Sequence, residues 1–129
     1  YHATPPTDAL VTLSAVMAEA ENIGFDKLKA AQIELGQKVR ALLAAKGFPS
    51  VAAAGFEAPG VVVSYTTNPD IQSGKAFLNQ GMQTASGVPL QCGESAEYQT
   101  FRVGLFGLDK LQDVDGAVER FAQALDKVL

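Results

Sequence analysis

Apolar residues change their spacing several times along the chain, and each change predicts an element. Between residues 9 and 18, Ala9, Leu10, Val11, Leu13, Ala15, Val16, Met17 and Ala18 are interrupted mainly by Thr12 and Ser14. At helical spacing these positions surround a helix running from about residue 7 to 22. A helix apolar on all sides calls for cover on all sides, more than a small domain offers its first helix. Pro5 and Pro6 predict an extended entry, and Thr7 or Asp8 stands where a first-turn cap belongs. After Gly24, Leu28, Leu35, Val39 and Leu42 form one stripe opposite Lys27, Glu34 and Lys38, which predicts an amphipathic helix over 25–46. Gly47 and Pro49 supply its stop.

The second half alternates between shorter elements. "GVVVSYT" (60–66) is a β-branched run and predicts a strand. Asn68-Pro69-Asp70 is a helix start, and a short helix is expected over 69–81. "GVPLQC" (87–92) and "TFRVGLF" (100–106) predict two more strands joined by the polar loop "GESAEYQ". A last helix starts at Asp113 or Val114, with Val114, Val118, Phe121, Leu125 and Val128 on its buried stripe. The order predicts an α/β (α+β) fold, a small and mainly antiparallel sheet covered by helices.

Composition narrows the function classes. The chain has 129 residues, enough for one core. It is 47% apolar and 19% charged, as ordered globular proteins are. Net charge is −4 and the ten Lys and Arg residues are dispersed, so a nucleic-acid partner is not expected. No apolar run has the length of a membrane span, and no signal-peptide pattern stands at the start. The single cysteine, Cys92, cannot form an internal disulfide, so a reducing, cytoplasmic setting is expected.

Arg102 stands out because it interrupts an apolar strand. Alternation puts Phe101, Val103 and Leu105 on one face and Arg102, Gly104 and Phe106 on the other. Gly104 leaves room for close approach. Either Arg102 faces solvent or pairs with Glu94 or Glu97 across the hairpin, or its fork binds a carboxylate. Periodicity does not choose between them. His2, the only histidine, has no ligand-spaced partners for a metal site. Cys92 ends an apolar run and is expected to be a buried or half-buried structural thiol. Glu94 with Glu97 could form an acid–base pair, but a solvated hairpin tip is the expectation. Tyr65 and Tyr98 are expected to pack their rings and keep wet hydroxyls.

"FRVGLFGLDKL" (101–111) resembles the carboxy-terminal signature of class V aminotransferases, and "YHATPPTDAL" (1–10) is similar to a Tyr-His-x-Thr-x-Pro segment of the same enzymes. The two motifs stand at opposite ends of the chain in the family's order, so the resemblance spans nearly all of it. It implies the carboxy-terminal small domain of a fold-type I enzyme using pyridoxal 5′-phosphate, related to alanine–glyoxylate and serine–pyruvate aminotransferases. Arg102 then takes the substrate α-carboxylate, and Tyr1 and Thr4 reach the phosphate of a neighbouring subunit's cofactor, which implies a homodimer. Substrates would be a small amino acid and a small 2-oxo acid. Relatives often carry His where this chain has Ala3.

Such chemistry needs a Schiff-base lysine and a phosphate cradle. None of the seven lysines stands at an apolar strand end, and no glycine-rich loop opens a helix after a strand. The expected organisation is therefore a linking segment and helix (1–23) and a small domain (24–129), inactive alone and joined to a large domain that precedes Tyr1. That Tyr1 is not an initiator methionine agrees with a piece of a longer protein. Two alternatives remain. One is a cysteine desulfurase-like class V enzyme using Cys92, ten positions before Arg102. The other is a non-catalytic module that binds amino acids or dimerises.

Overall fold

A computed structural model describes residues 5–129. Two long helices open it, α1 (Thr7–Ile23) and α2 (Phe25–Ala45), followed by strand β1 (Val61–Tyr65). Short helices α3 (Pro69–Gln72) and α4 (Lys75–Leu78) precede the two-residue strand β2 (Ala85–Ser86) and strand β3 (Thr100–Gly104). Helices α5 (Leu108–Gln112) and α6 (Val114–Val128) follow. The fold is α+β, a small antiparallel sheet with helices packed on it.

β3 is the central strand. It pairs antiparallel with β1 from Val61↔Gly104 to Tyr65↔Thr100, and on its other edge with β2 through Ala85↔Arg102 and Ser86↔Phe101. The outer edge of β1 is occupied by residues 49–51, since the Tyr65 amide donates to the Pro49 carbonyl and the Val51 amide to that of Val63. Phe101, Val103 and Leu105 are buried, as strand alternation predicts. They meet Leu35, Val39 and Leu43 of α2 and Phe121 and Leu125 of α6. Phe77 stacks on both Phe101 and Phe121 with ring centroids 5.9 Å apart, and Phe48 meets Phe101 edge-on at 5.4 Å. These four aromatics join the sheet to α4, α6 and the loop after α2, where rings contribute both area and geometry.

The caps follow from short polar side chains. Asn68 Oδ1 accepts from the Asp70 and Ile71 amides, and Asp113 Oδ1 from the Gly116 amide, so α3 and α6 begin on satisfied donors. The start of α1 differs from expectation. Pro6 is its cap residue, and no side chain bonds the free amides. The Thr7 hydroxyl turns back to the Pro5 carbonyl instead. The fixed φ of proline already leads the chain into the helix, so neither Thr7 nor Asp8 is needed as a cap.

Two predicted elements are corrected. The single helix over 69–81 is two short ones, because Gly74 takes a left-handed conformation (φ +80°) against Thr84. That break lets Ile71 and Phe77 enter the core from different directions. The strand predicted at 87–92 is not there, and the edge strand is Ala85–Ser86. The Gly87 amide still reaches the Thr100 carbonyl, but Pro89 has no amide to continue the ladder, and Gln91 has a φ of +58°. Val88 and Leu90 are left exposed.

The first helix contributes no buried residue, and Leu10, Val11 and Met17 are more than half exposed. Its carboxy-terminal turn touches the rest through Glu19, which accepts from the Gln112 side chain at 3.1 Å. The core is therefore built from α2 onward. Among the described residues, no helix is long and apolar enough to cross a membrane.

Candidate carboxylate-binding site

The open face of the sheet is set by alternation along β3. Arg102 is half-buried there, with Gly104 and Phe106 exposed beyond it. Arg102 Nε donates to the Ser86 carbonyl of β2 at 2.8 Å, which fixes the plane of the guanidinium. That is its only hydrogen bond among the described residues, and no carboxylate pairs with it. Both Nη groups keep their N–H donors for something else. Arg102 borders a cleft of about 390 Å³ lined also by Val61, Gln83, Thr84, Ala85, Gly104 and Phe106.

Two glycines shape the far wall of this cleft. A Cβ on Gly60 would lie 2.8 Å from the Phe106 ring, and one on Gly104 would lie 3.7 Å from it. The ring thus rests on bare backbone contributed by the start of β1 and the end of β3. Lys110 Nζ donates to the Phe106 carbonyl at 2.8 Å and ties the following turn to the same point.

Neither glutamate considered as a partner for Arg102 takes that role. Glu94 turns onto its own loop, its carboxylate accepting from the Gln91 amide at 2.8 Å and the Cys92 amide at 2.9 Å. These backbone donors, Gln91 first, hold its pKa down to about 2 from an ordinary 4.5. Glu97 lines a separate hollow with Tyr65 and Gln99, while Glu94 lines one with Tyr98. The two carboxylates do not form an acid–base pair.

Cys92 also departs from expectation, because its thiol is exposed rather than buried. With no strand at 87–92, nothing draws it inward. Tyr65 and Tyr98 pack edge-to-face at 5.7 Å, but the Tyr98 hydroxyl is buried with no hydrogen-bond partner rather than wet. Tyr1, His2 and Thr4 lie outside the described residues.

The lysines do not fit a Schiff-base role. Lys38 pairs with Glu34 at 2.6 Å and Asp115 at 2.5 Å, and these bonds, Asp115 first, raise its pKa. Lys46 pairs with Asp126, Lys75 with Asp70 and Lys110 with Asp109. Lys27, Lys29 and Lys127 are exposed on helices. A lysine that forms an imine needs desolvation, and these seven are either paired with a carboxylate or exposed on helices. Among the described residues, no group of three or more His, Cys, Asp or Glu side chains is arranged to hold a metal.

Two features escaped the sequence reading. Gln83, Thr84 and Ala85 line the cleft because the edge strand lies just before Gly87 rather than after it. The tract "MQTAS" (82–86) shows neither apolar alternation nor the β-branched density of a central strand, so no local pattern marked it. Arg40 was the other. Its guanidinium bonds Ser50 Oγ at 3.2 Å and the carbonyls of Ala58 and Val61 at 2.6 and 3.0 Å. Burial lowers its pKa, and Glu57 partly opposes that. No family model matches the chain, and no curated protein is significantly similar to it.

Proposed function

We propose that this chain supplies the substrate-carboxylate site of a pyridoxal-phosphate-dependent aminotransferase of class V. On this reading it is the small domain of a homodimeric enzyme. The reaction moves an amino group between a small amino acid of the alanine or serine type and a small 2-oxo acid of the glyoxylate or pyruvate type. The observation that carries the reading is the state of Arg102. Its Nε is anchored on Ser86, its Nη donors have no partner among the described residues, and the residue lines an open cleft. Two parallel N–H donors match the two oxygens of a carboxylate, and the rigid fork orients the α-carbon beyond it.

The resemblance of "FRVGLFGLDKL" to the family's signature supports the same role for the same residue. The Schiff-base lysine and the phosphate cradle are supplied from outside the described residues, with Tyr1 and Thr4 assigned to the neighbouring subunit's phosphate by resemblance alone. The residues described here bind and orient the acid and hold it against the sheet.

The test is steady-state kinetics of the enzyme containing these residues, with Arg102→Lys. The Michaelis constants for amino donor and oxo acid should both rise about ten- to a hundredfold, as the loss of one or two charge-assisted bonds implies. Cofactor binding should stay at the wild-type level. Unchanged Michaelis constants would remove Arg102 from the substrate site.

The exposed thiol of Cys92 favours a second reading, a class V cysteine desulfurase. In that case Cys92→Ser abolishes sulfide release from cysteine. On the aminotransferase reading it leaves amino transfer intact.

A further inference from the structure

The cleft beside Arg102 has two chemically different ends. At one end are the Nη donors of Arg102. At the other is the face of Phe106, an aromatic ring left 65% exposed yet seated on Gly60 and Gly104. The floor between them is small or apolar, formed by Gly104, Ala85 and Val61. Arg102 is the only charged residue in this lining. An exposed ring held in place beside a cation is suited to an acid whose far end is apolar.

We propose that Phe106 is the specificity-determining contact of this cleft and that the bound acid is a monocarboxylate with an apolar body. The inference rests on the assignment of Arg102 as a carboxylate ligand. It adds that the methyl group of alanine or pyruvate points toward Phe106. Acids bearing that methyl, or a longer apolar chain, bind better than glycine or glyoxylate. A second carboxylate placed at the Phe106 end loses part of its hydration against the ring, and the cation beside it, Lys110, is already spent on the Phe106 carbonyl and Asp109, so dicarboxylates are disfavoured.

Apolar contact also sets the expected size of the preference. A fully buried methylene is worth about fourfold in affinity. In an open cleft, about twofold per methylene is expected. Gly60 is part of the device. A side chain at position 60 collides with the ring and displaces it from the end of the cleft.

The experiment is an amide NMR titration of the 129-residue chain with acetate, propionate, butyrate and succinate at matched ionic strength. Shifts at Arg102, Gly104 and Ala85 report binding. Affinity should rise about twofold per methylene from acetate to butyrate, and succinate should bind less tightly than butyrate. Phe106→Ala should flatten this series while acetate still binds, and Phe106→Leu should preserve it. Thermal melting of both variants should match wild type, since the ring lies outside the core. A flat series in the wild-type chain, a graded series that survives Phe106→Ala, or succinate binding more tightly than butyrate overturns the proposal but leaves Arg102 as a carboxylate ligand. Absence of any acetate response at Arg102 overturns the carboxylate assignment itself, and this inference with it.

Discussion

Arg40 and Arg102 are both half-buried, and both hold onto backbone carbonyls, yet they spend their donors differently. Arg40 uses both Nη groups on Ser50, Ala58 and Val61, gathering the loop before β1 onto α2. Arg102 uses Nε on Ser86, lines the cleft, and leaves Nη1 and Nη2 without a partner among the described residues. The chemistry is the same, but the donor count differs. An arginine whose fork is filled by carbonyls is a clamp. One anchored at the back with its fork empty is suited to an external anion.

The largest effect expected from this contrast is on stability. Arg40→Ala leaves carbonyls that are partly buried without their donor, and the folded state should lose about 2–4 kcal/mol in chemical denaturation. The clamp assignment fails if the loss is below about 0.5 kcal/mol, the range of an exposed surface contact. Next comes Arg102→Lys, which should weaken carboxylate binding about tenfold, the loss of roughly one charge-assisted bond. Its unfolding free energy should stay within about 0.5 kcal/mol of wild type. A reversal, with stability lost and binding kept, would make Arg102 a second clamp.

Gly60→Ala comes third. Its new methyl meets the side chain of Phe106, which is exposed and free to turn away, so the stability cost should be under about 1 kcal/mol. Loss of the nuclear Overhauser contacts between Phe106 and the β1–β3 glycines would show the ring displaced. If those contacts persist, Gly60 is not what seats the ring.

The smallest effect concerns Glu94, which turns onto its own loop instead of pairing with Arg102. The folded pKa of Glu94 is depressed, so its bonds to the Gln91 and Cys92 amides are fully formed above its unfolded value near 4.5 and are lost as pH falls toward about 2. The amide shifts of Gln91 and Cys92 should therefore titrate with a midpoint near 2 and become flat in Glu94→Gln. A midpoint near 4.5 would mean that the carboxylate is free of the loop and available to Arg102.

Much of the scaffold around this contrast was legible in the sequence, for local reasons. The faces of β3 follow from strict alternation at Phe101, Arg102, Val103 and Gly104. Helical spacing found Leu35, Val39, Phe121 and Leu125 but missed Leu43 and Ala124, while Leu28, Leu42 and Val114 are only half-buried. The all-round apolar pattern of α1 correctly marked a helix that the rest of the chain does not cover. The errors arose where tertiary contacts outweigh local pattern. Gly74 breaks a helix because Thr84, ten residues later, packs against it. The apolar run 87–92 looked like a strand, but Pro89 cannot donate and the ladder ends after Gly87. Arg40 was not legible as a clamp, because its carbonyl partners lie 18 and 21 residues away and no side-chain pattern encodes a backbone acceptor.

The central claim is that the two guanidinium groups differ in what their Nη donors do. Nitrogen-detected NMR of the arginine side chains measures this directly. Without ligand, Arg40 Nη protons should show slow C–N rotation and protection from exchange, while those of Arg102 rotate and exchange freely. Adding butyrate should shift and slow the Arg102 signals and leave Arg40 unchanged. If the Arg102 signals are already slow and protected without ligand, or stay unmoved at saturating butyrate, the fork is not the open anion site described here.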